Sequence, residues 1–396
     1  MSVELPEPDA DALAHSDRLA ALIRSEIAAS GPRAIPFSRF MELCLYAPGL
    51  GYYSAGAAKF GAAGDFVTAP ELGGLFAGCV AEAVSPVLAQ LGLQAGFLEI
   101  GGGSGAFAQQ LLMDLAARGA LPTQYRILEP SADLRERQQR RLREQLPDAV
   151  FERMAWLDGP PEQPWNGVVF ANEVVDALPT PRFAIDRGEV MEECVAVDAD
   201  GLFGSVDRPA DALLTAAVRH VENDLGAAFA DGYRSELLPQ LPYWLQAVIG
   251  PMRRGALLLI DYGYPRRDYY LPERRDGTLL AHYRHRAHAD VLRWPGLQDL
   301  SASVDFTALA EAGTLAGFEL AGYCSQASFL IGNGLAAQLE RAEAAATDEV
   351  ARHRLRQEVK RLTLPGQMGE RFQAMGFARE VDFERAFLVG DLSGRL

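Results

Sequence analysis

The chain has 396 residues, 53 acidic against 37 basic side chains, and a net charge of −16 at pH 7. That length suits a large core in two or three domains, or one domain with large insertions. The acidic balance leaves no basic footprint for nucleic acid or an anionic membrane and favours a neutral or basic partner, such as an arginine-bearing protein.

Along the chain, Leu19, Leu22, Ile23 and Ile27 recur at helical spacing and predict a helix from Asp17 to about Ser30, capped by Ser16 or Asp17. It opens an N-terminal helical segment, 1–80, that acts as a lid and contains two glycine-rich stretches, 47–53 and 64–71. Strand 97–100, helix 105–118, strand 125–129, helix 131–145, strand 149–154 and strand 167–170 then alternate. Alternation of this kind predicts a parallel sheet with helices on both faces and a ligand at the carboxyl ends of its strands. These elements make 81–182 the first part of the main domain. An insertion, 183–250, follows, with short strands at 183–186, 191–197 and 202–206 and a helical stretch over 209–250. The remainder, 251–396, opens on a buried strand at 256–261, the fifth of the sheet. It continues with a helix near 305–316, a strand near 317–323, a helix from 333 to about 361 and a final strand pair.

Cys44, Cys79, Cys194 and Cys324 form no C-x-x-C pair, so neither a disulfide framework nor a zinc ribbon is expected. His282, His285 and His288 recur at every third residue, but no adjacent acid or cysteine pair completes a metal set, and no metal is expected. Met1 to Asp17 carry no export signal and no apolar run reaches about 18 residues, so a cytoplasmic chain without membrane insertion is expected.

Chemistry concentrates at Phe97-Leu98-Glu99-Ile100-Gly101-Gly102-Gly103-Ser104-Gly105. Glycines at 101, 103 and 105 allow a sharp turn, close ligand approach and a helix N-terminus that favours electron-rich groups. Gly101, Gly103 and Ala106 also satisfy G-x-G-x-x-G/A, which leaves a nicotinamide or flavin cofactor open. Two acids favour S-adenosylmethionine. Glu99 completes E-x-G-x-G-x-G, which resembles the first motif of Rossmann-like methyltransferases, where the carboxylate helps orient the methionine ammonium. Glu129 ends the strand 125–129, where a carboxylate accepts ribose hydroxyls. After the fourth strand come Asn172, Glu173 and Asp176, at the position that faces the transferable methyl in such enzymes. Two acids suit a guanidinium, which stays protonated and must be clamped and aligned. Asp261, Tyr262 and Tyr264 at the end of the fifth strand, and His285, are substrate-side candidates.

Gly64-Asp65-Phe66-Val67-Thr68-Ala69-Pro70-Glu71, the glycine turn, Asn172-Glu173-Val174-Val175-Asp176-Ala177-Leu178-Pro179 and Ile260-Asp261-Tyr262-Gly263-Tyr264, in this order, resemble the MidA family. Gly277-Thr278-Leu279, Ser301 to Phe306 and Gln326 to Leu330 extend the match over about 65 to 330. The resemblance implies a Rossmann-like class I methyltransferase of the α/β class, with a mostly parallel seven-stranded sheet, that uses S-adenosylmethionine. Its mitochondrial members methylate an arginine of a core subunit during respiratory complex I assembly. By resemblance, Asp65, Thr68 and Glu71 close over the cofactor with Glu99, Gly101, Gly103, Gly105, Glu129 and Asn172, while Glu173 faces the substrate. The family often has Gly-Pro-Gly where this chain has Gly101-Gly102-Gly103, a change expected to be compatible with the backbone. A small-molecule methyltransferase and a non-catalytic cofactor-binding assembly chaperone remain alternatives, and a homodimer is compatible with either.

Overall fold

The computed structural model describes residues 5–55 and 68–396. Its contacts group into two compact units, each discontinuous in sequence. Met1–Phe66, Val175–Gln240 and Tyr264–Asp305 form the first; Val67–Val174, Leu241–Gly263 and Phe306–Leu396 form the second. The grouping cuts across a linear division at 80, 182 and 250.

The second unit is built on seven strands: β1 (Ala95–Ile100), β2 (Gln124–Leu128), β3 (Met154–Leu157), β4 (Trp165–Asn172), β5 (Met252–Tyr264), β6 (Glu319–Ser325) and β7 (Phe372–Arg379). Their order in the sheet is β6-β7-β5-β4-β1-β2-β3, and a two-residue strand, Val304–Asp305, also pairs with β5, so the sheet has eight strands where seven were expected. The pairs from β3 through to β5 are parallel, and β7 runs antiparallel to both β5 and β6. The mostly parallel Rossmann-like sheet expected from the sequence is therefore present. Phe97, Leu98, Ile127, Val168, Val169, Leu257 and Leu258 are fully buried, as strands covered on both faces require. The helix Leu75–Leu91, which with its extension to Gln94 is apolar and long enough to cross a membrane, buries Phe76, Cys79, Val80, Val84 and Val87 in this same core.

Several elements depart from expectation. The strand expected at 149–154 is a short helix, Asp148–Phe151, set off by Pro147, and β3 begins only at Met154. The helix expected from 333 to 361 is two, Leu335–Ala345 and Glu349–Thr363, because Asp348 starts a new one by accepting the Ala351 N–H (2.7 Å). The final strand pair is the single strand β7, whose second neighbour is β5 rather than a chain-adjacent hairpin partner.

In the first unit, an antiparallel sheet runs Ala34–Pro36, Glu189–Val197, Arg182–Asp186 and Arg234–Glu236, with Phe203–Pro209 also paired to Glu189–Val197. A smaller sheet joins Arg286–His288, Leu280–Tyr283 and Asp299–Ser301. The first helix spans Ala10–Ala29, not from Asp17, because Asp9 caps it by accepting the Ala12 N–H (2.9 Å). The stretch 209–250 is helical only at Ala212–Leu225 and Leu241–Ile249, with the strand Arg234–Glu236 between. Arg182 bridges the buried Glu193 (2.8 Å) and Glu236 (3.1 Å).

Candidate active site

Gly101 donates its N–H to Leu128 O (3.0 Å), which ties the glycine turn to the end of β2. Gly101, Gly103 and Gly105 have φ of +69°, +51° and +81°, a region that L side chains disfavour. Gly105 precedes the helix Ala106–Ala117 and has no side chain to cap it, while Ser104 Oγ accepts the Ala106 N–H (3.3 Å). The first amides of this helix flank the turn and favour electron-rich groups. A Cβ at Gly102 would lie 2.8 Å from Ile127 Cγ2 and 3.0 Å from Gln138 Nε2, so the space a proline ring needs is already filled.

Glu99 in β1 and Glu129 just after β2 are both buried, 3 % and 4 % exposed. The Tyr125 hydroxyl donates to Glu99 Oε2 (2.7 Å). Burial pushes the Glu99 carboxyl up to about 8 against that bond, with the Glu129 charge adding to the rise. Glu129 Oε1 accepts the Ser131 N–H (3.0 Å) and Oε2 accepts from Gln138 Nε2 (3.3 Å). Burial pushes this carboxyl up to about 7, opposed by the bonds from Ser131 and Gln138 and by Arg135. An ammonium or a pair of hydroxyls beside such acids favours their ionised form.

Thr68 precedes the short helix Ala69–Leu72, and its carbonyl accepts the Glu71 N–H (3.0 Å). Ser104 Oγ donates to the Glu71 carboxylate and accepts from Arg141 Nη1 (3.2 Å). Glu71 is thereby fastened to the glycine turn. Asp65 lies outside the described residues. Asp158 is an exposed carboxylate paired with Arg135 (2.5 Å).

At the carboxyl end of β4, Asn172 Nδ2 donates to Glu173 Oε1 (2.9 Å). Asn172 Oδ1 is buried with no hydrogen-bond partner among the described residues. Glu173 has φ +54°, and its N–H donates to Ile260 O (2.9 Å) on β5. The neighbouring Asp261, 1 % exposed, accepts the N–H groups of Val174 (3.2 Å) and Tyr262 (2.9 Å). Its carboxylate shapes the backbone on which Glu173 sits. The Tyr262 ring packs edge-on against Phe372 (5.6 Å).

The other expected residues fall in the first unit. Asp176 is buried and its carbonyl accepts the Ala302 N–H (3.0 Å). The Tyr264 ring lies under the Arg274 guanidinium (4.4 Å). His285 is exposed at the tip of the hairpin between Leu280–Tyr283 and Arg286–His288, where both it and Arg284 have positive φ (+62° and +46°).

Residues 79–324 match a family model described as "Putative S-adenosyl-L-methionine-dependent methyltransferase". The chain belongs to this family. It is a MidA-family S-adenosylmethionine-dependent methyltransferase, and it is similar to a Burkholderia thailandensis protein crystallised with S-adenosyl-homocysteine bound. That likeness has a TM-score of 0.91 at 42% identity and covers 99% of this chain and 100% of that one. It is also similar to the "Protein arginine methyltransferase NDUFAF7 homolog, mitochondrial" of Drosophila melanogaster, 27% identical over 93% of this chain and 87% of the relative. "Protein arginine methyltransferase NDUFAF7, mitochondrial" of Danio rerio is 29% identical over 89% and 84%. These relatives, named as mitochondrial, overturn the expectation of a cytoplasmic setting.

The cofactor is S-adenosylmethionine, and the residues of the second unit fit it. Three left-handed glycines keep side chains off the turn, two buried acids end adjacent strands, and Asn172 Oδ1 offers a buried acceptor. Sequence reading missed Ser104, Arg141 and Gln138. The signal for Gln138 was present: Leu134, Gln138 and Leu142 recur every fourth residue, so a polar side chain occupies the apolar stripe of a helix.

Proposed function

We propose that this methyltransferase transfers a methyl group to an arginine guanidinium of a protein substrate, by resemblance on a core subunit of respiratory complex I or its homologue. The observation that carries the reading is Glu173, a carboxylate held at the end of β4 on left-handed backbone and oriented by the Asn172 amide. The names of the curated relatives, protein arginine methyltransferases, support it.

When bound, S-adenosylmethionine supplies an electrophilic methyl carbon on a sulfonium. The protein's share is alignment. In this reading Glu99 orients the cofactor's ammonium and Glu129 its ribose, while Thr68 and Glu71 close over it. Glu173 pairs with the guanidinium fork, localises its charge on the nitrogens nearest the carboxylate and leaves another nitrogen in line with the methyl. Asn172 sets the Glu173 rotamer. The attacked nitrogen would gain the methyl as its bond to sulfur breaks, leaving S-adenosylhomocysteine as the neutral thioether, and would give up one proton, for which Glu173 or water beyond it is the acceptor. Tyr262 lines the substrate side, and Asp261 acts through the backbone of Val174. No covalent enzyme intermediate is needed.

The test incubates the protein with methyl-labelled S-adenosylmethionine and a complex I core subunit, then maps methylated residues by mass spectrometry. Methylarginine formed by the wild type and lost in Glu173→Gln, with S-adenosylhomocysteine affinity kept, supports the reading. Label found only on small metabolites, or no transfer to arginine, overturns it.

A further inference from the structure

Gln138 lies on the helix Ala132–Gln145 between Leu134 and Leu142 and is 0 % exposed. A buried amide is tolerated where its polar atoms are bonded. Here Oε1 accepts the Trp156 indole N–H (2.9 Å), and Nε2 donates to Gly103 O (2.9 Å) and to Glu129 Oε2 (3.3 Å). The orientation follows from the partners. A reversed amide would set its oxygen against a carbonyl and a carboxylate, and its NH2 against an N–H donor. One side chain thus joins the turn after β1, the acid after β2 and a ring in β3. The crowding at Gly102 is this same amide met from the turn.

We propose that Gln138 is a positioning residue for S-adenosylmethionine, holding the Glu129 carboxylate in the orientation that accepts the ribose hydroxyls and locking it to the glycine turn through Gly103. The proposal rests on the reading of Glu129 as the ribose acceptor. Because both N–H groups sit on one rigid amide, a shift of the turn and a shift of the carboxylate are mechanically the same event. Other groups face Glu129 as well. The Ser131 N–H, the Gly103 backbone and Arg135 favour its ionised form, and Arg135 is shared with Asp158; the Glu99 carboxyl on β1 disfavours it. Removing the Gln138 donor therefore raises the carboxyl further above about 7.

The test is calorimetric titration of S-adenosylhomocysteine and its 2′-deoxy analogue into wild type and Gln138→Met across neutral pH. In Gln138→Met, S-adenosylhomocysteine should bind about tenfold more weakly, as loss of a bond to a charged group costs. The pH at which affinity falls should move upward, and the penalty for lacking the 2′-hydroxyl should shrink. KM for S-adenosylmethionine should rise more than kcat falls. Trp156→Phe, which keeps the ring and frees Oε1, should shift the same quantities in the same direction and serves if Gln138→Met does not fold. Equal weakening of both ligands with an unmoved pH midpoint would reduce Gln138 to packing and overturn the proposal. A wild type that binds the 2′-deoxy analogue as tightly as the parent would instead overturn the ribose reading of Glu129, and the proposal with it.

Discussion

The Tyr125 hydroxyl reaches Glu99 across 2.7 Å, inside a core where the Phe97 and Tyr125 rings stack at 5.0 Å. This donor to the acid is thus set by aromatic packing of β1 against β2. Burial still wins over it, since the carboxyl stands at about 8 and that of Glu129 at about 7, against an ordinary 4.5. The unfolded chain releases these protons near 4.5, whereas the folded chain keeps them until about 7 and 8. Their contribution to stability is therefore full below 4.5 and is lost as pH rises through 7 to 8. Thermal melts of the ligand-free protein should show this decline, and Glu99→Gln and Glu129→Gln should each flatten it. Tyr125→Phe, which removes a donor to the ionised form, should carry the decline on to higher pH.

Glu173 is tested by separating backbone from carboxylate. Glu173→Gln should lower kcat by about a hundredfold or more while the affinity for S-adenosylhomocysteine changes by no more than about threefold. Glu173→Gly removes a side chain from φ +54° and should raise the melting temperature, because a left-handed L-residue costs about 1 kcal/mol, yet leave the protein inactive. A more stable and still active Glu173→Gly would exclude a role for the carboxylate.

Asp261 acts on two amides at once. Asp261→Ala should cost about 1–3 kcal/mol in denaturant unfolding, because the Val174 and Tyr262 N–H groups lose their acceptor. Asp261→Asn keeps one carbonyl acceptor and should recover part of the stability and activity. Activity lost with stability unchanged in Asp261→Asn would point to direct substrate contact instead.

Gly102→Ala should imitate Gln138→Met, since its Cβ meets Ile127 and displaces the Gln138 amide. Weaker S-adenosylhomocysteine binding with a raised pH midpoint is the expected calorimetric result. An alanine accepted without change would mean that Ile127 yields alone.

Arg284 and His285 form the tip of a hairpin with positive φ at both positions, a conformation that suits Asn-Gly. Replacing the pair by Asn and Gly should stabilise the protein by about 1 kcal/mol or more. If turnover survives at the wild-type level, His285 is no part of the substrate side.

Much of the second unit was legible because its strands are short apolar runs closed by an acid or a glycine, as at Glu99, Glu129 and Asn172. Such punctuation is local, and so is the alternation of helix and strand that implies a parallel sheet. What escaped was set by distance. The strand Phe372–Arg379 looks like half of a hairpin until β5 is placed beside it, and the first unit collects three segments that no local composition links. At the site, the residues found were those with a chemical signature of their own. Gln138 and Ser104 gain meaning only from partners 35 and 33 residues away, Gly103 and Glu71 respectively. Pro147 and Asp348 were readable as helix starts, but the apolar residues around each masked the signal.

The place of β7 carries a consequence for how this molecule comes into being. A strand made from residues 372–379 is the middle member between β5 and β6, so the earlier half of the sheet has an open edge until those residues have left the ribosome. During synthesis that edge, with Leu257 and Leu258 on it, is a surface on which another nascent strand can pair by mistake. Shortened chains ending before Phe372 should therefore behave as clients for holding chaperones, not as smaller methyltransferases.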